Sequence, residues 1–126
     1  MPSKSASELT LTEETPAPPQ GFQHNPKQTR AAIKRCCAAW QRAYDAYLED
    51  PECAKKGEAF AAGNADKAYC GAMPPLADYQ SIRDFIACAA HGMLIGAIYE
   101  RRANKLLYAA QVALASLHFE PKPRKS

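Results

Sequence analysis

Residues 85–99, FIACAAHGMLIGAIY, are fifteen consecutive positions without a formal charge. Arg83-Asp84 bounds the run on one side and Glu100-Arg101-Arg102 on the other. A bilayer span takes about 20 apolar residues, so the run is too short to cross a membrane, and it contains a histidine. It has to be hidden by protein instead. At about 100° per residue, Ile82, Phe85, Ile86, Ala89, Met93 and Ala97 fall on one stripe of a helix, with Leu94 and Ile98 beside it. A helix that is apolar nearly all round is buried nearly all round. The pattern therefore predicts a central helix that starts at residues 78–81, with Ser81 and Asp84 as a capping box, and runs to about Tyr99.

The two glycines in this helix need a reason. Glycine inside a helix costs about 0.5–1 kcal/mol against alanine. Cys88, Gly92 and Gly96 recur at i, i+4 and i+8, a row of small residues that lets another backbone approach closely. Together with Ile95 they form the candidate groove for helix packing or oligomerisation. Either another helix of the same chain fills it or a second copy does, the latter in keeping with the symmetry of most oligomers.

The spacing Cys88-x-x-His91 raises metal binding and thiol catalysis. A structural zinc site takes four ligands. The other thiols, Cys36, Cys37, Cys53 and Cys70, include no Cys-x-x-Cys. A cysteine–histidine pair can act as nucleophile and base, but it needs a cleft, and this helix predicts burial. Nor does the chain contain a Gly-x-Ser-x-Gly, Walker or dinucleotide-binding pattern. The expectation is a protein that is not an enzyme and takes no metal and no cofactor.

Three further helices frame the central one. The first begins at Asn25-Pro26, a cap followed by a residue suited to the first turn. It carries Ile33, Cys36, Cys37, Trp40, Tyr44, Tyr47 and Leu48 on one stripe, and Asp50-Pro51 stops it. A short second helix follows from Pro51 to Ala62, with Gly63-Asn64 as its stop. "GAMPPL" at 71–76 reads as loop. The last helix opens near Arg102 or Asn104 and ends near His118. Ala103, Leu106, Leu107, Ala110, Ala113, Leu114 and Leu117 share its inner face, with Lys105, Tyr108, Gln111 and Ala115 opposite. No internal repeat and no strand-like alternation interrupts this series.

Charge is segregated on the first helix. Lys27, Arg30, Lys34, Arg35 and Arg42 are basic, and no acid occurs over residues 26–42. Cations near a helix N-terminus oppose its dipole. Lys27, Lys34, Arg35 and Arg42 are thus candidate contacts for phosphate or for an acidic partner. The net charge of +3 is modest for a nucleic-acid binder, and no zinc-finger, RRM or KH signature accompanies it. The last helix, KLLYAAQVALASL, is poor in base-reading side chains.

The 126 residues suit one domain. Residues 1–24 are rich in Ser, Thr, Glu, Pro and Gln and lack an apolar period, which predicts disorder. They also lack the apolar core of a signal peptide, so a cytoplasmic protein with reduced thiols is expected. Residues 119–126, FEPKPRKS, form a short basic tail.

Residues 73–117, with "MPPL", "SIRDFIA" and "LLYAAQVAL", resemble a helical hairpin that recurs in small uncharacterised bacterial proteins. The resemblance implies a bacterial source and a hairpin of the last two helices, and no activity or site residue. The sequence thus predicts an all-α bundle of three to four helices over residues 25–118. The function expected is non-enzymatic interaction or assembly, homo-oligomeric or with a protein partner and without a membrane. The alternative is a nucleic-acid-binding accessory protein that uses the basic first helix and the tail.

Overall fold

The structure, a computed structural model, describes residues 23–118. The expected tail at 119–126, and all of the expected disordered segment 1–24 except its last two residues, lie outside the described residues. Among the described residues there are five helices and no strand: α1 (Pro26–Glu49), α2 (Pro51–Ala54), α3 (Glu58–Gly71), α4 (Tyr79–Leu94) and α5 (Glu100–His118). No helix among them is long and apolar enough to cross a membrane.

The first helix starts where its cap dictates. Asn25 is extended, with φ −108° and ψ 107°, and its side chain accepts from Lys27 N–H at 2.9 Å. Asp50 ends α1 and caps α2 through Glu52 N–H at 3.1 Å. The helix expected over 51–62 is a single turn. The chain breaks at Gly57, whose φ of 98° takes it out of the helical region. The next helix, α3, then runs straight through Gly63-Asn64, the expected stop. Ala61, Ala65 and Tyr69 are buried at i, i+4 and i+8 of this helix. That continuous inner stripe outweighs the glycine's cost of about 1 kcal/mol.

Hydrogen bonds give the directions of the helices. Asn25 pairs with Gln80, and Thr29 with Asp84, so α1 and α4 run parallel. Trp40 bonds to Asp66 and buried Cys36 sits in one cluster with Tyr69, so α3 returns antiparallel to α1. The central element differs from the one expected. The helix α1 packs against α2, α3 and α4, whereas α4 packs against α1 and α5. The hub is therefore α1. Its buried residues, Ala32 and Cys36, are small and share one cluster with Tyr69 of α3 and Cys88 of α4.

The segment expected to be helical to Tyr99 stops at Leu94. Gly96 takes φ 84°, its N–H reaches the Met93 carbonyl at 3.2 Å, and Ala97 N–H reaches the Gly92 carbonyl at 2.8 Å. This is the Schellman arrangement. It folds Ala97 and Ile98 back onto the helix, where both are buried. The box at the start of α4 is also shifted: Asp78 caps Ser81 N–H at 2.8 Å, and Ser81 Oγ accepts from Asp78 N–H at 2.9 Å. Asp84 has another role. It is buried, and a buried carboxylate needs hydrogen bonds. Thr29 Oγ1 donates to its Oδ1 at 2.5 Å and Gln80 Nε2 at 2.8 Å. On α5, Ala103 and Ala110 are buried on the predicted face, and Lys105, Tyr108, Gln111 and Ala115 are exposed on the other.

Candidate interaction surface

Of the expected groove residues, two lie inside and two outside. Cys88 and Gly92 are buried within the same chain. A Cβ on Gly92 would stand 2.7 Å from Ile98 Cδ1 and 2.8 Å from Tyr69 Cε1. The close approach comes from side chains, one on α3 and one just beyond α4, and not from another helix backbone. Gly96 sits past the helix end, exposed, with nothing within 4 Å of where its Cβ would stand. Ile95 is 50% exposed on the same turn. The i, i+4, i+8 row is therefore not a groove, because the Schellman turn takes Gly96 off the helix.

A closed seam surrounds Cys88. Tyr69 Oη donates to the Cys88 carbonyl at 2.7 Å. The Cys88 thiol is hydrogen-bonded to that of Cys36 across the α1–α4 contact, and both are fully buried. This bond, with burial, pushes the Cys88 thiol far up. The same bond draws Cys36 down, against its burial. Burial and then the surrounding thiols push Tyr69 up. Neutral thiols sealed in this way pack as small apolar groups. His91 is half-buried near the end of α4. Among the described residues, no three or more His, Cys, Asp or Glu side chains converge in a way that could hold a metal ion.

The open surface lies around the α4–α5 turn. Leu94 is 82% exposed and Tyr99 78%, with Ile95 and Met93 beside them in the chain. On the α3 side of this turn is a groove of about 750 Å³. Tyr47 of α1, Phe60 and Lys67 of α3, and Ile98, Tyr99 and Arg102 after α4 contribute to its lining. Phe60 is 61% exposed. One carboxylate, Asp66, lines the groove, and its Oδ1 already accepts from Trp40 Nε1 at 2.8 Å. Sequence reasoning missed this groove because its walls come from three separate segments. One signal was legible: Phe60 falls off the Ala61, Ala65, Tyr69 stripe, and so its ring points away from the core.

The predicted basic contacts, Lys27, Lys34, Arg35 and Arg42, are all exposed along α1, as is Arg30. The one ion pair among the described residues, Lys55 Nζ to Glu52 Oε2 at 3.6 Å, involves none of them. No family model, no curated protein and no solved structure matches this chain.

Proposed function

We propose that this domain is a non-enzymatic interaction module that self-associates through the tip of its α4–α5 turn. The observation that carries the reading is the exposure of Met93, Leu94 and Ile95 in succession. Scattered apolar residues on a surface are ordinary, whereas adjacent ones mark contact sites. The turn is also well suited to present them, because its Schellman hydrogen bonds fix the backbone. A preformed surface loses less entropy on binding. The partner in this reading is a second copy, which would bring the same apolar tip to a twofold axis.

Light scattering over a range of protein concentrations tests this. The expected result is a mass that rises toward that of a dimer, and a Leu94→Lys/Ile95→Lys variant that stays monomeric with an unchanged melting temperature. A wild-type protein that remains monomeric at every concentration overturns the reading.

A second reading, nucleic-acid binding, is favoured by the cations along α1, which are exposed and in no ion pair among the described residues. Its signature is binding to a DNA or RNA duplex that weakens steeply with salt and with Lys34→Glu/Arg35→Glu. No binding at about 50 mM salt removes it.

A further inference from the structure

The groove beside α3 combines two features that define what it accepts. Its aromatic walls, Phe60 and Tyr99, are largely bare. Its net charge is positive: Lys67 and Arg102 line it, neither joins an ion pair among the described residues, and they outnumber the one carboxylate, Asp66, which accepts from Trp40. Such a surface suits an extended segment that carries both apolar side chains and carboxylates. The chain contains one. Residues 8–14 read ELTLTEE, with leucines at 9 and 11 and glutamates at 8, 13 and 14. No lysine or arginine occurs over residues 5–26, so nothing within that stretch neutralises the three glutamates.

Reach agrees with this. The groove includes Tyr47, and α1 begins at Pro26. At 1.5 Å per residue, the groove's far end lies roughly 30 Å along α1 from its start. Glu14 precedes Gln23 by nine positions and Glu8 precedes it by fifteen. At ~3.1 Å per residue for a proline-containing linker, those positions reach about 28 and 46 Å. At that extension Glu8 passes the groove's far end, whereas Glu14 reaches about 28 Å against roughly 30 Å, so the linker between Glu14 and Gln23 has to run nearly straight for Glu14 to meet that end. A tethered ligand of this kind meets its site at an effective concentration of order millimolar.

We propose that residues 8–14 dock in this groove of their own chain, with the leucines against Phe60 and Tyr99 and the glutamates toward Lys67 and Arg102. The proposal is independent of self-association, which uses Met93, Leu94 and Ile95. In the full chain, cleavage by a glutamate-specific protease after Glu13 and Glu14 reads the docked state. Lys67→Glu/Arg102→Glu should speed that cleavage about tenfold, which corresponds to about 1.4 kcal/mol of docking. Equal rates overturn the proposal. The control Lys34→Glu/Arg42→Glu makes the same charge change on α1, and an equal acceleration there would place the segment on the basic face of α1 and so overturn the groove.

A second variant guards against misfolding of the first. Glu13→Lys/Glu14→Lys in the full chain should shift amide resonances of residues 59–71 and 97–102, to the same extent at every protein concentration. Unshifted amides overturn the proposal. So does a shift that grows with concentration, since the contact is then between chains. Light scattering on the same samples keeps the two ideas apart, because loss of docking leaves the mass unchanged.

Discussion

Residues 82–92 and 93–99 are consecutive in the chain, yet they end in opposite surroundings. In the first part, Ile82, Cys88, Ala89 and Gly92 are buried, Cys88 in one cluster with Cys36 of α1 and Gly92 facing Tyr69 of α3 and the returning Ile98. In the second, Met93, Leu94, Ile95 and Tyr99 stand in solvent, and only Ala97 and Ile98 turn back inside. Composition does not separate the two halves, since both are uncharged after Asp84. Backbone conformation does. Gly92 stays helical so that Tyr69 can lie against it, and Gly96 turns left-handed so that the chain can leave. The same residue type serves packing at one site and chain reversal at the other, and the exposed apolar tip results from that reversal.

The largest effect that sets the two halves apart should come from alkali. Cys88 and Tyr69 both lie in the seam, and both hold their protons above their ordinary values of 9.0 and 10.0. Below pH 9 these groups are neutral whether the chain is folded or not, and their contribution is fully present. As pH rises, the unfolded chain gives up protons that the folded one keeps. Stability should then fall by about 1.4 kcal/mol per pH unit for each such group. Half-buried Cys37 and Cys70, also pushed up, add to the loss, and Cys36, drawn down, offsets part of it. The expected result is a melting temperature that declines from pH 9 and more steeply beyond pH 10. Tyr69→Phe should remove the second increment. A melting temperature that stays flat past pH 10 would mean that the seam is wet.

Gly92→Ala comes next. Alanine is the better helix former by about 0.5–1 kcal/mol. The added Cβ, however, would meet three side-chain atoms at 2.7–2.9 Å. Neither neighbour yields easily. The Tyr69 ring is anchored through its hydroxyl to Cys88, and Ile98 N–H is bonded to the Gly92 carbonyl at 3.1 Å. Overpacking of this kind costs about 1–3 kcal/mol and outweighs the propensity gain. For a domain of this size the melting temperature should fall by about 4–8 °C per kcal/mol. A rise on calorimetry would show that the seam has slack.

The amphipathic helices were the legible part of this chain. The stripes of α1 and α5, the Asn25 and Asp50 caps and the break at Pro51 could all be read because each depends on residues within one or two turns. Four features could not. Gly63-Asn64 looked like a stop, and only the packing of Ala61, Ala65 and Tyr69 on α1 carries the helix through it. Gly96 looked like a member of a groove, but whether a glycine continues a helix or ends it depends on where its C-terminal neighbours find cover, and here Ala97 and Ile98 bury themselves by turning back. The groove of Phe60, Lys67, Tyr99 and Arg102 joins distant segments without a shared period. Asp84 was assigned to a cap because its actual partner, Thr29, lies 55 residues away.

Gly96→Ala should be the mildest of these changes, and it is the one that isolates the turn. Nothing lies within 4 Å of a Cβ there, so the substitution costs no packing. What remains is the backbone: at φ 84° an L-residue is strained by roughly 1–2 kcal/mol. Alanine also narrows the unfolded ensemble, which offsets a few tenths to about 1 kcal/mol. The net loss should be near 1 kcal/mol and below that of Gly92→Ala, although the two changes are chemically identical. Gly96→Asn should recover part of it, since asparagine tolerates the left-handed region. If Gly96→Ala instead stabilised the protein, the helix would be continuing through residue 96. Leu94, Ile95 and Tyr99 would then be positions on a longer helix, and the exposed tip on which self-association rests would not exist in solution.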